Sequence, residues 1–178
     1  MSEHRDPPAT RPDPAWLAAW RQEIDAATAT LLAGFEDRFG YPPGRNAIDA
    51  PGPDDLAAAA QLAELPVIAA SLPWIYRHIG QVVLADVGNA YFIHPASHVL
   101  SDLTECGPIP LTSGPAAVFA SDGGGIHYAI ATDGTVHRST AASRDSAFHR
   151  VADDLQDFLD QLRHAVSRFA ETGQPGDL

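Results

Sequence analysis

This sequence reads as an α+β domain: an antiparallel or mixed sheet of about four to six strands, packed on one face by helices from the two ends of the chain. Three observations predict it. Apolar residues recur at helical spacing near both ends, from Trp16 to Phe35 and from Leu155 to Phe169. Between them lie short apolar runs separated by Gly, Asn and Asp, which is the patterning of strands and tight turns. The strict alternation of strand and helix that builds a parallel sheet is missing.

A chain of 178 residues accommodates one domain with a real core. Residues 1–12, polar and proline-rich, read as a disordered arm. Residues 13–172 form the domain, and 173-GQPGDL-178 is expected to fray. Asp13 followed by Pro14 is a helix start, because the carboxylate caps free N–H groups and proline suits the first helical position. Trp16, Trp20, Ile24, Ala27, Leu31 and Phe35 then form a stripe, flanked by Leu17, Leu32 and Phe39, and Gly40 ends it. The segment 40-GYPPGRNAIDAPGP-53 is expected to be a loop. An alanine-rich helix follows from Asp54 to about Leu65.

Pro73 is expected to open a short helix through His78, capped by Gly80. Val82 to Leu84 and Tyr91 to Ile93 read as strands joined by a turn at Asp86, Gly88 and Asn89. His94-Pro95 begins one more helical turn. Ala117 to Ala120, Ile126 to Ala131 and Val136 to Ser139 read as three strands, with Asp133-Gly134 as a two-residue hairpin turn. Phe148 to Val151 makes a further strand. The last helix is expected to begin at Asp153, with Gln156 completing a capping box. Its stripe of Leu155, Phe158, Leu159, Leu162, Val166 and Phe169 spans roughly 100° of the circumference.

The stretch 119-FASDGGGIHYAIATDGTVHRS-139 decides a functional question. A glycine loop that holds phosphate leads from a strand into a helix, whose free N–H groups face the anion. Here Gly123, Gly124 and Gly125 lead into a period-two run of strand formers, with no following Lys-Ser or Lys-Thr and no G-x-G-x-x-G spacing. They are expected to make a tight, bulged strand-to-strand turn, with Asp122 bonding its own backbone.

The ordered series 86-DVGNAYFIHP-95, 118-VFASDGGGIHYAIATDGTVHR-138 and 151-VADDLQDFLDQL-162 resembles the SUKH superfamily. That group is named partly for a regulator of cell-wall assembly and killer-toxin resistance. The resemblance covers about residues 65–170. It implies an α+β fold and, since the bacterial members are mostly immunity proteins of polymorphic toxin systems, a cytoplasmic protein that binds and neutralises a cognate toxin. The alternative on the same fold is a regulatory or scaffold module with an endogenous partner.

Composition is consistent with that role. The net charge is −12, and all 11 basic residues are arginine. Such a surface repels nucleic acid and anionic membranes and favours a basic protein partner, for example a nuclease or deaminase toxin. No apolar run reaches the ~20 residues of a membrane span, and the first residues lack the apolar core of a signal peptide. The cytoplasm is therefore the expected location. A single cysteine, Cys106, excludes an internal disulfide. It is placed in a loop, with no positive charge close in sequence to favour a thiolate.

Eight histidines invite a metal reading. His94 and His98 stand four apart, but the sequence holds no H-E-x-x-H or C-x-x-C set. A two-residue loop at Asp133-Gly134 pairs Ile130 with His137 and puts His127 on the opposite face, so that these two imidazoles do not share an ion. No G-x-S-x-G elbow is present. No catalytic, cofactor-binding or metal-binding residue is therefore expected. An enzyme would instead require a deep polar pocket with perturbed groups. The candidate partner surface lies on the last helix, where Asp153, Asp157, Asp160 and His164 stand opposite the apolar stripe. These acids suit either the positive end of the helix dipole or a basic partner.

Overall fold

The structure, a computed structural model, describes residues 11–176 and Leu178, so the first ten residues of the expected N-terminal arm lie outside the described residues. Helix α1 spans Pro14–Leu32. The Asp13 carboxylate accepts from the Ala15 and Trp16 N–H groups at 2.7 and 3.3 Å, and Leu17, Trp20, Ile24 and Leu31 face inward. The expected single helix to Phe39 is two. Gly34 turns left-handed (φ 86°) and starts a separate α2, Phe35–Phe39, which Gly40 ends. This break lets Phe35, Phe39 and Tyr41 gather as a ring cluster, with centroids 4.5 to 6.4 Å apart.

Within the expected loop, Asn46–Ile48 forms β1. Helix α3 covers Pro53–Ala63. Helix α4 is Ser71–Ile75, so Pro73 sits inside its first turn and does not open it. Gly80 is no helix cap; its N–H donates to the Asp49 carbonyl at 2.9 Å. Strands β2 (Val82–Leu84) and β3 (Tyr91–Ile93) follow as expected. The single turn expected after His94-Pro95 is instead an eleven-residue helix, α5, Ala96–Cys106, and Cys106 is its exposed last residue rather than a loop residue. The remaining elements are β4 (Ile109–Leu111), β5 (Gly114–Asp122), β6 (His127–Ala131), β7 (Val136–Ser139), β8 (Phe148–Ala152) and α6 (Leu155–Thr172).

The eight strands form one sheet in the order β1-β2-β3-β5-β6-β7-β8, every pairing antiparallel. This is the α+β class that the sequence predicts. Its two additional strands, β1 and β4, are three residues each in proline- and glycine-rich stretches, too short to show a period. β3 and β4 share one edge of β5, taking residues 120–122 and 114–116, and α5 connects them.

Helices α1 and α6 lie together on one face of the sheet, where the Trp20 indole N–H donates to the buried Leu159 carbonyl at 2.7 Å. The Phe158 ring meets Phe119 and Tyr128 at 5.3 and 5.2 Å. Helix α6 begins one residue later than expected. Asp154 is its cap, accepting from the Asp157 N–H, and Asp157 in turn accepts from the Asp153 N–H, so Asp157 takes the reciprocal place expected of Gln156. The segment after Gly173, expected to fray, lies against the body: Tyr91 Oη donates to the Gly176 carbonyl at 3.2 Å.

Candidate functional site

The glycine corner is a hairpin loop. The Asp122 N–H donates to Ile126 O, the Gly125 N–H donates to Asp122 O, and Gly125 stands at φ 83°. Residues 132–134 repeat this geometry: Ala131 N–H donates to Thr135 O, Gly134 N–H to Ala131 O, and Gly134 stands at φ 94°. Both are three-residue loops closed by a left-handed glycine. The second is one residue longer than the expected Asp133-Gly134 turn. His137 therefore pairs with Ala129, not Ile130, and His127 lies on the same face as His137 rather than the opposite one. The expected bulge lies upstream of the glycines, at Phe119, between the pairs Val118–Ala129 and Ala120–Tyr128.

Buried Asp122 satisfies the corner from inside, its Oδ1 accepting from Gly124 and Ile126 N–H at 2.8 and 2.9 Å. The Gly123 N–H donates to the Asn89 carbonyl at 2.8 Å, and a β-carbon at Gly123 would collide with that oxygen. The two turns read separately in the sequence are thus joined. On the Asn89 side, Asn46 Nδ2 donates to the Asp86 carboxylate at 2.6 Å, Gly88 has φ 58°, and Ala90 takes φ 65°, an uncommon place for a side chain. At the other turn Asp133 Oδ1 accepts from the Thr135 N–H and hydroxyl.

The acidic residues of α6 are largely engaged locally. Asp153 pairs with Arg150 at 2.7 Å, Asp157 closes the helix cap, and Asp160 meets Arg163 at 3.0 Å, which also pairs with Glu23 of α1. His164 is exposed one turn further along. Asp157, Asp160 and His164 lie on α6 and Asp153 stands two residues before it, and with the arginines they make a mixed-charge surface rather than a bare acidic ridge. The sequence could not show this, because Arg150 and Glu23 come from other elements.

A histidine group is assembled that the sequence did not predict. The His94 and His98 rings are 4.7 Å apart, and His127 of β6 stands near enough to act on His94 electrostatically. Arg144, from the β7–β8 connection, closes the group by donating to Asp102 at 2.6 Å and to the Gly107 carbonyl at 2.7 Å. Burial, then repulsion from His98 and His127, pulls His94 down to about 4. Burial, then the Arg144 charge, also lowers His127. His137 stands apart, its Nε2 within 3.1 Å of Ser113 Oγ and 2.9 Å of Thr135 Oγ1, and burial lowers it as well. Among the described residues no three His, Cys, Asp or Glu side chains are arranged to hold a metal ion. His94, His127 and His137 are half-buried, and His98 is exposed.

Elsewhere, the outer surfaces of α3 and α5 enclose an open groove of about 460 Å³, with Asp54 at one end and Glu105 at the other. Its signal in the sequence is the run 54-DDLAAAAQL-62, where small residues leave space beside a neighbour, while the neighbouring helix shows in the sequence only as the turn expected after His94-Pro95. No helix among the described residues is long and apolar enough to cross a membrane. No family profile, curated protein or solved structure matches the chain.

Proposed function

We propose that this chain is a non-enzymatic protein-binding domain of the immunity type, which neutralises a cognate toxin by binding it directly and covering its active site. The observation that carries this reading is the excess of acid over base and its place at the surface. Acidic residues number 23 against 11 arginines. After the arginine pairs are formed, Glu36, Asp37, Asp54, Glu64 and Glu171, all exposed, keep no ion pair among the described residues. A surface of this sign speeds encounter with a basic protein and disfavours competition by nucleic acid. A nuclease or deaminase toxin with a positively charged cleft is a partner of matching chemistry.

The resemblance to the SUKH superfamily supports the same reading. Its recognisable residues here form corners and core, which leaves the outer helices and loops for contact. Co-expression with the product of a toxin-bearing gene immediately upstream tests the proposal. Rescue of growth, together with a stable complex on a sizing column, is the expected result. Loss of both would overturn it; a complex with an endogenous protein and no rescue would favour the regulatory module.

A further inference from the structure

We infer that the groove between α3 and α5 is the docking surface for an arginine-bearing segment of the partner protein, an inference that rests on reading the chain as a binding module. The first turns of the two helices meet where Ser97 Oγ donates to Asp55 Oδ1 at 2.9 Å. Gln61 and Glu105 line the far end, so the helices run side by side in the same direction. Buried Ala58 and half-buried Leu100 make an apolar floor, with exposed Ala57 at its edge. Alanine on α3 is what leaves a channel here, since a longer side chain would fill it.

The charges at the ends select the occupant. Asp54 has no ion pair among the described residues, and Glu105 accepts only a neutral hydroxyl, Ser101 Oγ at 2.9 Å. No basic side chain lines the groove. Arginine suits this combination better than lysine does, because its aliphatic stem lies on an apolar floor while its planar fork takes a carboxylate. From Asp54 to Gln61 the channel runs about 10 Å at ~1.5 Å per helical residue. That length takes about three extended residues or two helical turns of a partner.

The test is an NMR titration of the full chain with the peptide Arg-Ala-Leu-Arg-Ala-Leu-Arg, and with a control carrying Glu for Arg. Saturable amide shifts concentrated in residues 53–63 and 96–106, with the arginine peptide alone, are expected. Ala57→Arg fills the channel with like charge at an exposed helical position, and should weaken binding at least tenfold. Asp54→Asn with Glu105→Gln should do the same. Shifts spread equally over α2 and α6, or binding indifferent to Ala57→Arg, would overturn the inference. In the growth assay, rescue that survives Ala57→Arg would overturn the groove but leave the immunity reading standing. Absence of rescue by the unaltered chain would remove that reading, while the titration still decides the groove.

Discussion

On the face of the sheet beneath α1 and α6, the side chains Phe119, Tyr128, Ile130 and Val136 are fully or almost fully buried against Phe158, Leu159, Leu162 and Val166. On the opposite face the residues between them are small: Ala116, Val118, Ala129 and Ala131, with Ile109, and with His127 and His137 on the same side. The same strands build both faces, since alternate residues point to opposite sides. Large apolar groups on the first face supply most of the burial, at roughly 25 cal/mol per Å². The Phe119 bulge adds to it, turning two successive residues, Phe119 and Ala120, toward the larger core. The second face carries the smaller cluster, flanked by Leu111 and Phe148, and His127 and His137 lie on that side. One face holds the fold together; the other tolerates chemistry at a cost.

The sharpest way to break this comparison is to truncate one apolar side chain in the core on each side of the sheet. Phe158→Ala should lower the unfolding free energy by about 3–5 kcal/mol in urea titrations, from lost burial plus a cavity between Phe119 and Tyr128. Val118→Ala on the other face should lower it by only about 1.5 kcal/mol, at ~0.8 kcal/mol per methylene. Equal losses would mean that both faces bear the core.

Acid tests the histidine side. His94 is held at about 4 in the folded protein, below its ordinary 6.5. Between those values the unfolded chain binds more protons, so this contribution is intact above pH 6.5 and is lost as pH falls toward 4. The decline should reach up to about 1.4 kcal/mol per pH unit for one histidine. His94→Gln should flatten the pH dependence of the urea midpoint. An unaltered slope in His94→Gln would dissociate the histidine group from the pH dependence.

The corner that joins β5 to β6 is expected to be next in size. Asp122→Ala leaves the Gly124 and Ile126 N–H groups without their acceptor, and should cost about 1–3 kcal/mol, read from the same unfolding curves. Smallest are the ends of α6. Asp154→Ala removes the helix cap and should cost about 1 kcal/mol. Asp153→Asn, which breaks the exposed pair with Arg150, should fall within about 0.5 kcal/mol. A larger loss at Asp153 than at Asp154 would place the α6 cap one residue earlier.

Much of this architecture was legible before any coordinates. The α6 stripe, the Asp13-Pro14 start, strands β2, β3 and β5 to β8, and the turn character of the glycine run each carry a local signature of residue type and spacing. Less legible was the length of α5, because a proline and a histidine stand at its start and only Ala96 and Val99 of its stripe are fully buried, with Leu100 and Leu103 partly so. The candidate partner acids were found by type, but their pairing with Arg150, Arg163 and Glu23 was not.

Local sequence therefore determined the α+β class, the order of most elements and the inward stripes of α1 and α6, since period and caps are short-range physics. Tertiary structure alone decided the join between the Asn89 turn and Gly123, the placement of His127 beside His94 and His98, and the parallel placement of α3 beside α5. Each of these is a contact between groups tens of residues apart. Such contacts follow from how the whole sheet and its helices fill space, and no window along the chain contains them.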